Sequence, residues 1–366
     1  MRPSFYGLLD DPDLLLWEHL RRTERPIVLW GMGNGADKIL DALEARSIPI
    51  AGIFASDGFK QGKLFRGMRV ESRAELFDRL GEPRPIVLLA FGSSRPEVLA
   101  NVRAVMEQTE LLVPDVPAFG GGLFDADFVR AHADELERAR GLLSDEESRR
   151  IFDLTVAYKL SGKADCLFGA VSDRGEVMRD LIRPTALRGV LDLGAYNGDT
   201  VRELLDAGAR PTWVRAVEAD LRTYRRLEVY AKSETRCAVT PICGAAWDSA
   251  QDVLFDAAGN RGAAAGQDGK RTVSVRGLTG NELLGDAVAD YIKFDVEGAE
   301  RRAIEGLAAQ IERDLPTLAV SVYHRNEDLF ALPLLIRDRF PAYRGFYLRR
   351  RAGLPAWDLE LFVRRD

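Results

Sequence analysis

Two segments of this chain share one plan, in which a run of apolar residues meets glycines and passes straight into helical spacing. The first is PIVLWGMGNGADKILDALEAR, beginning at Pro26, and the second is GVLDLGAYNGDTVRELLDAGA, beginning at Gly189. A strand apolar on both faces must be covered on both sides, and a glycine turn leading into an amphipathic helix provides that cover. The combination is the βα unit of a parallel sheet. Two such starts in 366 residues predict two α/β domains.

Further signals fill in each half. Ile48–Phe54 and Pro85–Gly92 read as later strands of the first domain, and Ser93 or Ser94 is placed to cap the helix that follows. Val113 to Asp125 is rich in Pro and Gly and closes a Rossmann-like accessory domain over residues 1–125. Residues 126–180 read as a charged helical connector, in which Tyr158 and Lys159 are either a lid over an acceptor or ordinary helix residues. From 181 to 366 strands and helices alternate again. Trp213–Asp220 is a strand, and Asp220 is placed to cap a helix carrying Leu221, Tyr224 and Leu227 on one face. CAVTPICGAAW reads as one further strand. VLFDA and RTVSVRG read as a hairpin with a small-residue tip, Ala258–Lys270. DYIKFDVEGAE runs from strand into turn, ahead of a helical stripe of Ala303, Ile304, Leu307 and Ile311. LAVSVYH is another strand, a helix starts at Glu327, and two alternating strands at the C-terminus form an antiparallel pair.

Composition narrows the partners. A formal net charge of −6, with 30% charged and 46% apolar residues, describes a globular chain without the basic balance that nucleic acid or an anionic membrane requires. The arginine clusters Arg349–Arg351 and Arg364–Arg365 are expected on a solvated surface, as are His19 and His132. Three cysteines in neither a metal spacing nor an even framework suit a reducing compartment. No apolar run approaches membrane-span length, and acids stand where a signal peptide needs an apolar stretch. A cytoplasmic protein is expected, and a homo-oligomer is left open.

Ligands of an open α/β sheet bind outside the carboxyl ends of its strands. In the second domain the first strand delivers Asp192 and then Gly194, Ala195, Tyr196, Asn197, Gly198, Asp199 and Thr200. The next ends on Glu218, a carboxylate able to accept both hydroxyls of a ribose. Gly244, Ala245, Ala246 and Trp247 are small and then aromatic, a wall suited to adenine. Asp295, Glu297 and His324 end the following strands. Acids and glycines without a lysine-bearing phosphate cradle suit S-adenosylmethionine, a sulfonium cation with a ribose and an amino-acid tail but no phosphate.

VLDLGAYNGDT, VEAD, YIKFDVEGAE and LAVSVYHRNEDL, in that order and preceded by DEESRRIFDLTVAYKLSG, resemble the FkbM-type family of S-adenosylmethionine-dependent methyltransferases. The resemblance runs from about Ser144 to the C-terminus. It implies a class I methyltransferase fold, a mostly parallel Rossmann-like sheet ending in an antiparallel hairpin. It also implies methylation of a hydroxyl on a sugar, glycan or secondary metabolite. By that resemblance Asp192, Gly194, Asn197, Gly198, Asp199 and Glu218 hold the donor, and Asp295 and Glu297 lie beside the methyl group and the acceptor.

Plainer readings stand beside these. Asp192–Thr200 can be a tight turn without a ligand, and Asp295 and Glu297 can serve the dipole of the next helix. His324 can be a general base or a histidine bound to its own loop. Asp295, Glu297 and His324 have no metal-ligand spacing, and no metal is assigned. The N-terminal GMGNGAD, with Gly31, Gly33 and Ala36, fits a dinucleotide pattern, which leaves an NAD(P)-dependent enzyme acting on nucleotide-sugars as the alternative. Phe54-Ala55-Ser56 stand where that reading needs an acid, and Asp57 comes late. The run GIFASDGFKQGKLFRGMRV also resembles the small Rossmann-like domain preceding some bacterial sugar acyltransferases. The first domain is therefore expected to hold or present the acceptor.

Overall fold

Every residue of Ile27–Trp30 and of Ile86–Leu89 is buried, as central strands of a sheet covered on both faces must be. The computed structural model describes residues 4–56, 62–256 and 272–365. The first sheet contains β1 (Ile27–Trp30), β2 (Gly52–Ala55), β3 (Leu64–Phe65), β4 (Met68–Ser72), β5 (Ile86–Leu89) and β6 (Leu111–Leu112), in the order β3-β4-β2-β1-β5-β6. Only the β3–β4 edge is antiparallel.

The second half supplies β7 (Gly189–Leu193), β8 (Trp213–Glu218), β9 (Val239–Cys243), β10 (Ala245–Ala246), β11 (Asp252–Asp256) and β12 (Thr272–Leu278). They are followed by β13 (Tyr291–Phe294), β14 (Thr317–Ser321), β15 (Gly345–Arg350) and β16 (Leu359–Arg364). Seven of these form the order β15-β16-β14-β13-β7-β8-β9, parallel from β9 to β14 and antiparallel through β16 and β15. This is the mostly parallel sheet with a closing hairpin expected of a class I methyltransferase fold. In each sheet the chain leaves the first strand in one direction and returns on its other side, so the crevice falls between β1 and β5 and between β7 and β13.

Several local expectations change. CAVTPICGAAW is two strands, because β10 leaves the large sheet at Gly244 and pairs with β12. A Cβ at Gly244 would meet the Leu278 side chain at 2.5 Å. β11 and β12 pair antiparallel as expected, and the hairpin tip at 258–270 lies outside the described residues. Neither Ser93 nor Ser94 caps the next helix: Pro96 starts it and Arg95 occupies the cap, while Ser93 Oγ accepts from Arg95 N. Asp220 does cap Leu221–Ser233, accepting from Thr223 N at 2.8 Å. On that helix Leu227 is buried, but Leu221 at the first turn is exposed. The stripe Ala303, Ile304, Leu307 and Ile311 is fully buried, though divided between two short helices.

The helices between the sheets form a packed spacer rather than a lid. Ile151, Phe152 and Val156 of Glu146–Ser161 pack with the second sheet, and Tyr158 of the same helix packs against the first. Phe5 and Tyr6 join the core that contains Phe152, so the N-terminal residues pack with this spacer and not with the first sheet. Lys159 is buried on Asp115 at 2.6 Å. His19 and His132 are half-buried, the first 3.0 Å from Glu110 and the second against Phe128 and Phe330. Among the described residues no helix is long and apolar enough to cross a membrane.

The arginines expected on the surface are largely interior. Arg350 is only 1% exposed; it donates to Leu167 O at 2.9 Å, to Pro355 O at 3.2 Å and to Gly353 O. Arg349 reaches Ser148 and Arg364 reaches Asp180 O. These guanidinium groups supply the donors that carbonyls facing away from the sheet ladder need when water is excluded. Arg350→Met is expected to lower unfolding free energy by about 3 kcal/mol, because buried carbonyls lose their donor. Urea denaturation measures this, and an unchanged midpoint would show that the carbonyls are served otherwise.

Candidate active site

The turn after β7 is set by a backbone collision. Gly194 has φ +79°, and a Cβ there would stand 1.8 Å from the carbonyl oxygen of Asp295. The ends of β7 and β13 can approach this closely only at a residue without a side chain. Gly194 N and Ala195 N both donate to Val217 O at 2.9 Å, which draws the turn toward β8. Tyr196 follows with φ +47°, and Gly198, with φ +83°, packs on the Tyr230 ring at the start of Asp199–Asp206. Residues 194, 196, 199 and 200 line a cavity of about 690 Å³. Asp192, Asn197 and Gly198 stand behind its wall.

Glu218 lines the same cavity from the end of β8. Its Oε2 accepts from Tyr196 N at 2.9 Å and its Oε1 from Asp220 N at 2.8 Å, so both oxygens are oriented and each keeps a lone pair. Burial pushes this carboxyl up to about 7 against those two backbone bonds. Gly244, Ala245 and Ala246 form the adjoining wall, and Trp247 lies behind it. Among the described residues, Trp247 Nε1 is buried without a hydrogen-bond partner.

On the other side of the Gly194 turn lies a cluster of buried charges. Lys293 Nζ, near the end of β13, is 3.0 Å from Asp295 and 3.8 Å from Asp192. Burial works against the ammonium, but the charges of Asp295 and Asp192 outweigh it and hold Lys293 above the usual lysine range. Asp192 is wholly buried with neither oxygen hydrogen-bonded, and burial pushes it up to about 6 although Lys293 opposes. Asp295 also accepts from Ser321 Oγ at 2.8 Å and Tyr323 Oη at 3.2 Å. Burial raises it, yet the charges of Lys293 and His324 prevail and keep it well below the usual carboxylate range. Lys293, Ser321 and Tyr323 were not anticipated as site residues. A lysine inside the apolar run YIKFD is the one signal that marked any of them.

His324 lies 1% exposed among three carboxylates. Its Nδ1 is 2.9 Å from Glu300, and its Nε2 is 3.3 Å from Glu297 and 3.6 Å from Asp295. Burial disfavours the cation, but the charges of Glu300 and Glu297 hold the ring well above its ordinary value. An imidazolium has no lone pair to receive a proton, so these neighbours disfavour His324 as a resting general base. Glu297, at φ +55°, faces the cavity, and burial raises its carboxyl. Glu297 does not cap the next helix. Glu300, in that helix's first turn, accepts from Val296 N at 2.9 Å. Among the described residues no group of three or more His, Cys, Asp or Glu side chains is arranged to hold a metal ion.

The N-terminal glycine loop opens onto this same cavity. Met32, Asn34, Gly35 and Lys38, from the turn and helix after β1, and Phe91, after β5, line it opposite the methyltransferase-like sheet. Gly31 packs on the Phe91 ring, and Trp30 Nε1 donates to Ser56 Oγ at 2.9 Å, where a dinucleotide site would place its acid. Asp57 lies outside the described residues.

A seven-stranded, mostly parallel sheet whose switch point carries a glycine turn between strand-end carboxylates defines a class I methyltransferase fold. Residues 192–348 match the Methyltransferase FkbM domain family, which supports a methyltransferase. The crystal structure of a methyltransferase FkbM from Methylobacillus flagellatus superposes with TM-score 0.68 at 18% identity, over 98% of both chains, so both sheets share its fold. A putative caffeoyl-CoA O-methyltransferase from Staphylococcus aureus aligns with TM-score 0.33 at 13% identity, over 65% of this chain and 97% of that one. Trm1 from Pyrococcus horikoshii, solved with S-adenosyl-L-methionine, aligns with TM-score 0.28 at 13% identity, over 55% of this chain and 57% of that one. No curated protein matches the sequence.

Gly194→Ala should be the most damaging single-methyl change in the chain, costing about 2–4 kcal/mol through the clash with Asp295 O and the positive φ. Thermal unfolding checks this, and a variant as stable as the parent would mean that β7 and β13 separate easily.

Proposed function

We propose that this chain transfers a methyl group from S-adenosylmethionine to a hydroxyl of a sugar, glycan or secondary metabolite. The observation that carries the reading is one cavity with Glu218 on one side of the Gly194 turn and Asp295 and Glu297 on the other. The residues fit the donor. Glu218 keeps lone pairs for a ribose diol, Ala245 and Ala246 leave a flat space for adenine, and Gly194 lets the backbone approach the amino-acid end. Asp192 places a buried carboxylate behind that turn, 3.8 Å from Lys293 and without a hydrogen bond of its own. Asp199 and Thr200 line the entrance to the following helix.

When bound, S-adenosylmethionine supplies an electrophilic methyl group on a sulfonium cation. Asp295 stays ionised beside Lys293 and contributes a fixed negative charge at the cavity wall. Glu297 takes the acceptor hydroxyl's proton, because it faces the cavity and burial has made it more basic than an exposed glutamate. His324 lies against Glu297 and, as a cation, orients that carboxylate without receiving the proton itself. Positioning supplies the rest of the rate for an in-line displacement.

Two measurements test the assignment. Glu218→Gln should weaken S-adenosylhomocysteine binding about tenfold in titration calorimetry, since charged acceptors bond hydroxyls more strongly. Wild-type affinity should rise as pH increases through about 7, where Glu218 loses its proton, and the variant should lose that rise. Undiminished affinity would remove Glu218 from the donor site. Glu297→Gln should leave that affinity unchanged and slow methyl transfer about 10²-fold or more, and a normal turnover rate would refute its role as base.

A further inference from the structure

Among the described residues four cationic side chains line the cavity: Lys38, Lys293, His324 and Arg351. Three are matched by carboxylates. Lys293 has Asp295, His324 has Glu300 and Glu297, and Arg351 has Glu203 at 2.8 Å with Glu360 at 3.6 Å. Lys38 differs. Its Nζ donates to the carbonyl oxygens of Pro117 and Ala118, both at 2.7 Å, and among the described residues no carboxylate comes within ion-pair distance. Burial lowers its pKa with no opposing charge to restore it. A partly desolvated ammonium held by two neutral dipoles keeps one N–H and most of its charge uncompensated.

The position of Lys38 gives that charge meaning. The segment that anchors it continues to Phe119, whose N–H donates to His324 O at 3.2 Å and whose ring lies 5.8 Å from the imidazole. Phe119 also packs against Gly298, next to Glu297. Lys38 therefore borders the Glu297 and His324 side of the cavity, while Glu218, Ala245 and Ala246 lie across the Gly194 turn on the β8 and β9 side.

We infer that the methyl acceptor binds between the two sheets and bears an anionic group, a phosphate or a carboxylate, that pairs with Lys38 of the N-terminal domain. The inference rests on the methyl-donor reading above and adds the acceptor's charge class and a residue that recognises it. Asn34 and Ser94 supply further polar contacts on that wall. The glycine loop then serves an acceptor and not a redox cofactor, and the N-terminal domain completes the active site.

The test uses the full-length protein with methyl-labelled S-adenosylmethionine and a small-molecule cell extract, the labelled products being separated on an anion exchanger. Wild-type protein should place its label in the retained fraction. Lys38→Met should lower that label about tenfold or more, and Lys38→Arg should keep most of it, because a lost desolvated ion pair costs at least this much. S-adenosylhomocysteine affinity, measured by calorimetry, should be the same in all three proteins, which also shows that the variants fold. Phosphatase treatment that moves the label to the flow-through identifies a phosphate, and label that stays retained identifies a carboxylate. Label confined to the flow-through, equal labelling by Lys38→Met, or no labelled product from a protein that binds S-adenosylhomocysteine would each overturn the inference. Failure to bind S-adenosylhomocysteine would instead sink the methyl-donor reading.

Discussion

Holding two α/β sheets with their carboxyl ends facing one another is the constraint on which the cavity depends. Tyr158, Leu354 and Ala356 pack in the core of the first sheet, and several polar contacts join the halves beside them. Ser93 and Leu354 exchange backbone hydrogen bonds at 2.8 and 3.0 Å, joining the loop after β5 to the β15–β16 connection. Lys159 ties the spacer helix to Asp115, and Phe119 N–H reaches His324 O. Buried polar pairs of this kind add little net stability compared with apolar packing, but they are costly to mismatch and so fix a register. Trp357 lies directly on Gly92, where any side chain would collide with its ring. The relative position of the two halves is thus specified by contacts that tolerate no sliding.

Within that frame the site separates charge by environment. Glu218 and Asp295 are both strand-end carboxylates of one sheet, yet burial lifts the first while Lys293 and His324 hold the second down. Neighbouring acids with opposite shifts can perform different tasks at one pH. His324 shows the same logic from the other side, since the carboxylates around it favour the cation of the residue most often chosen as a base.

Much of this was legible in the chain itself. The two strand–glycine–helix starts marked both sheets, and strand-end counting brought Glu218, Asp295, Glu297 and His324 to one edge. What was not legible depended on side-chain partners distant in sequence. Arg350 reads as surface until Leu167, Gly353 and Pro355 offer carbonyls to it. Tyr158 and Lys159 read as lid candidates because a local pattern cannot show that two sheets will bury one helix from both sides. Gly244 hid a break between β9 and β10 because CAVTPICGAAW has uninterrupted strand propensity. The shared cavity was the largest omission: nothing in either glycine motif says that it faces the other.

The segment Pro117–Phe119 has a consequence of its own. Its carbonyls accept the Lys38 ammonium and its last N–H is pinned to the histidine beside Glu297; Ala118 O and Phe119 N, one on each contact, belong to a single peptide group. A chain this short has a nearly fixed reach. Were an acceptor's anion held on Lys38, the segment would act as a gauge of how far its reacting group stands from that anchor, and compounds would be sorted by length as well as by charge.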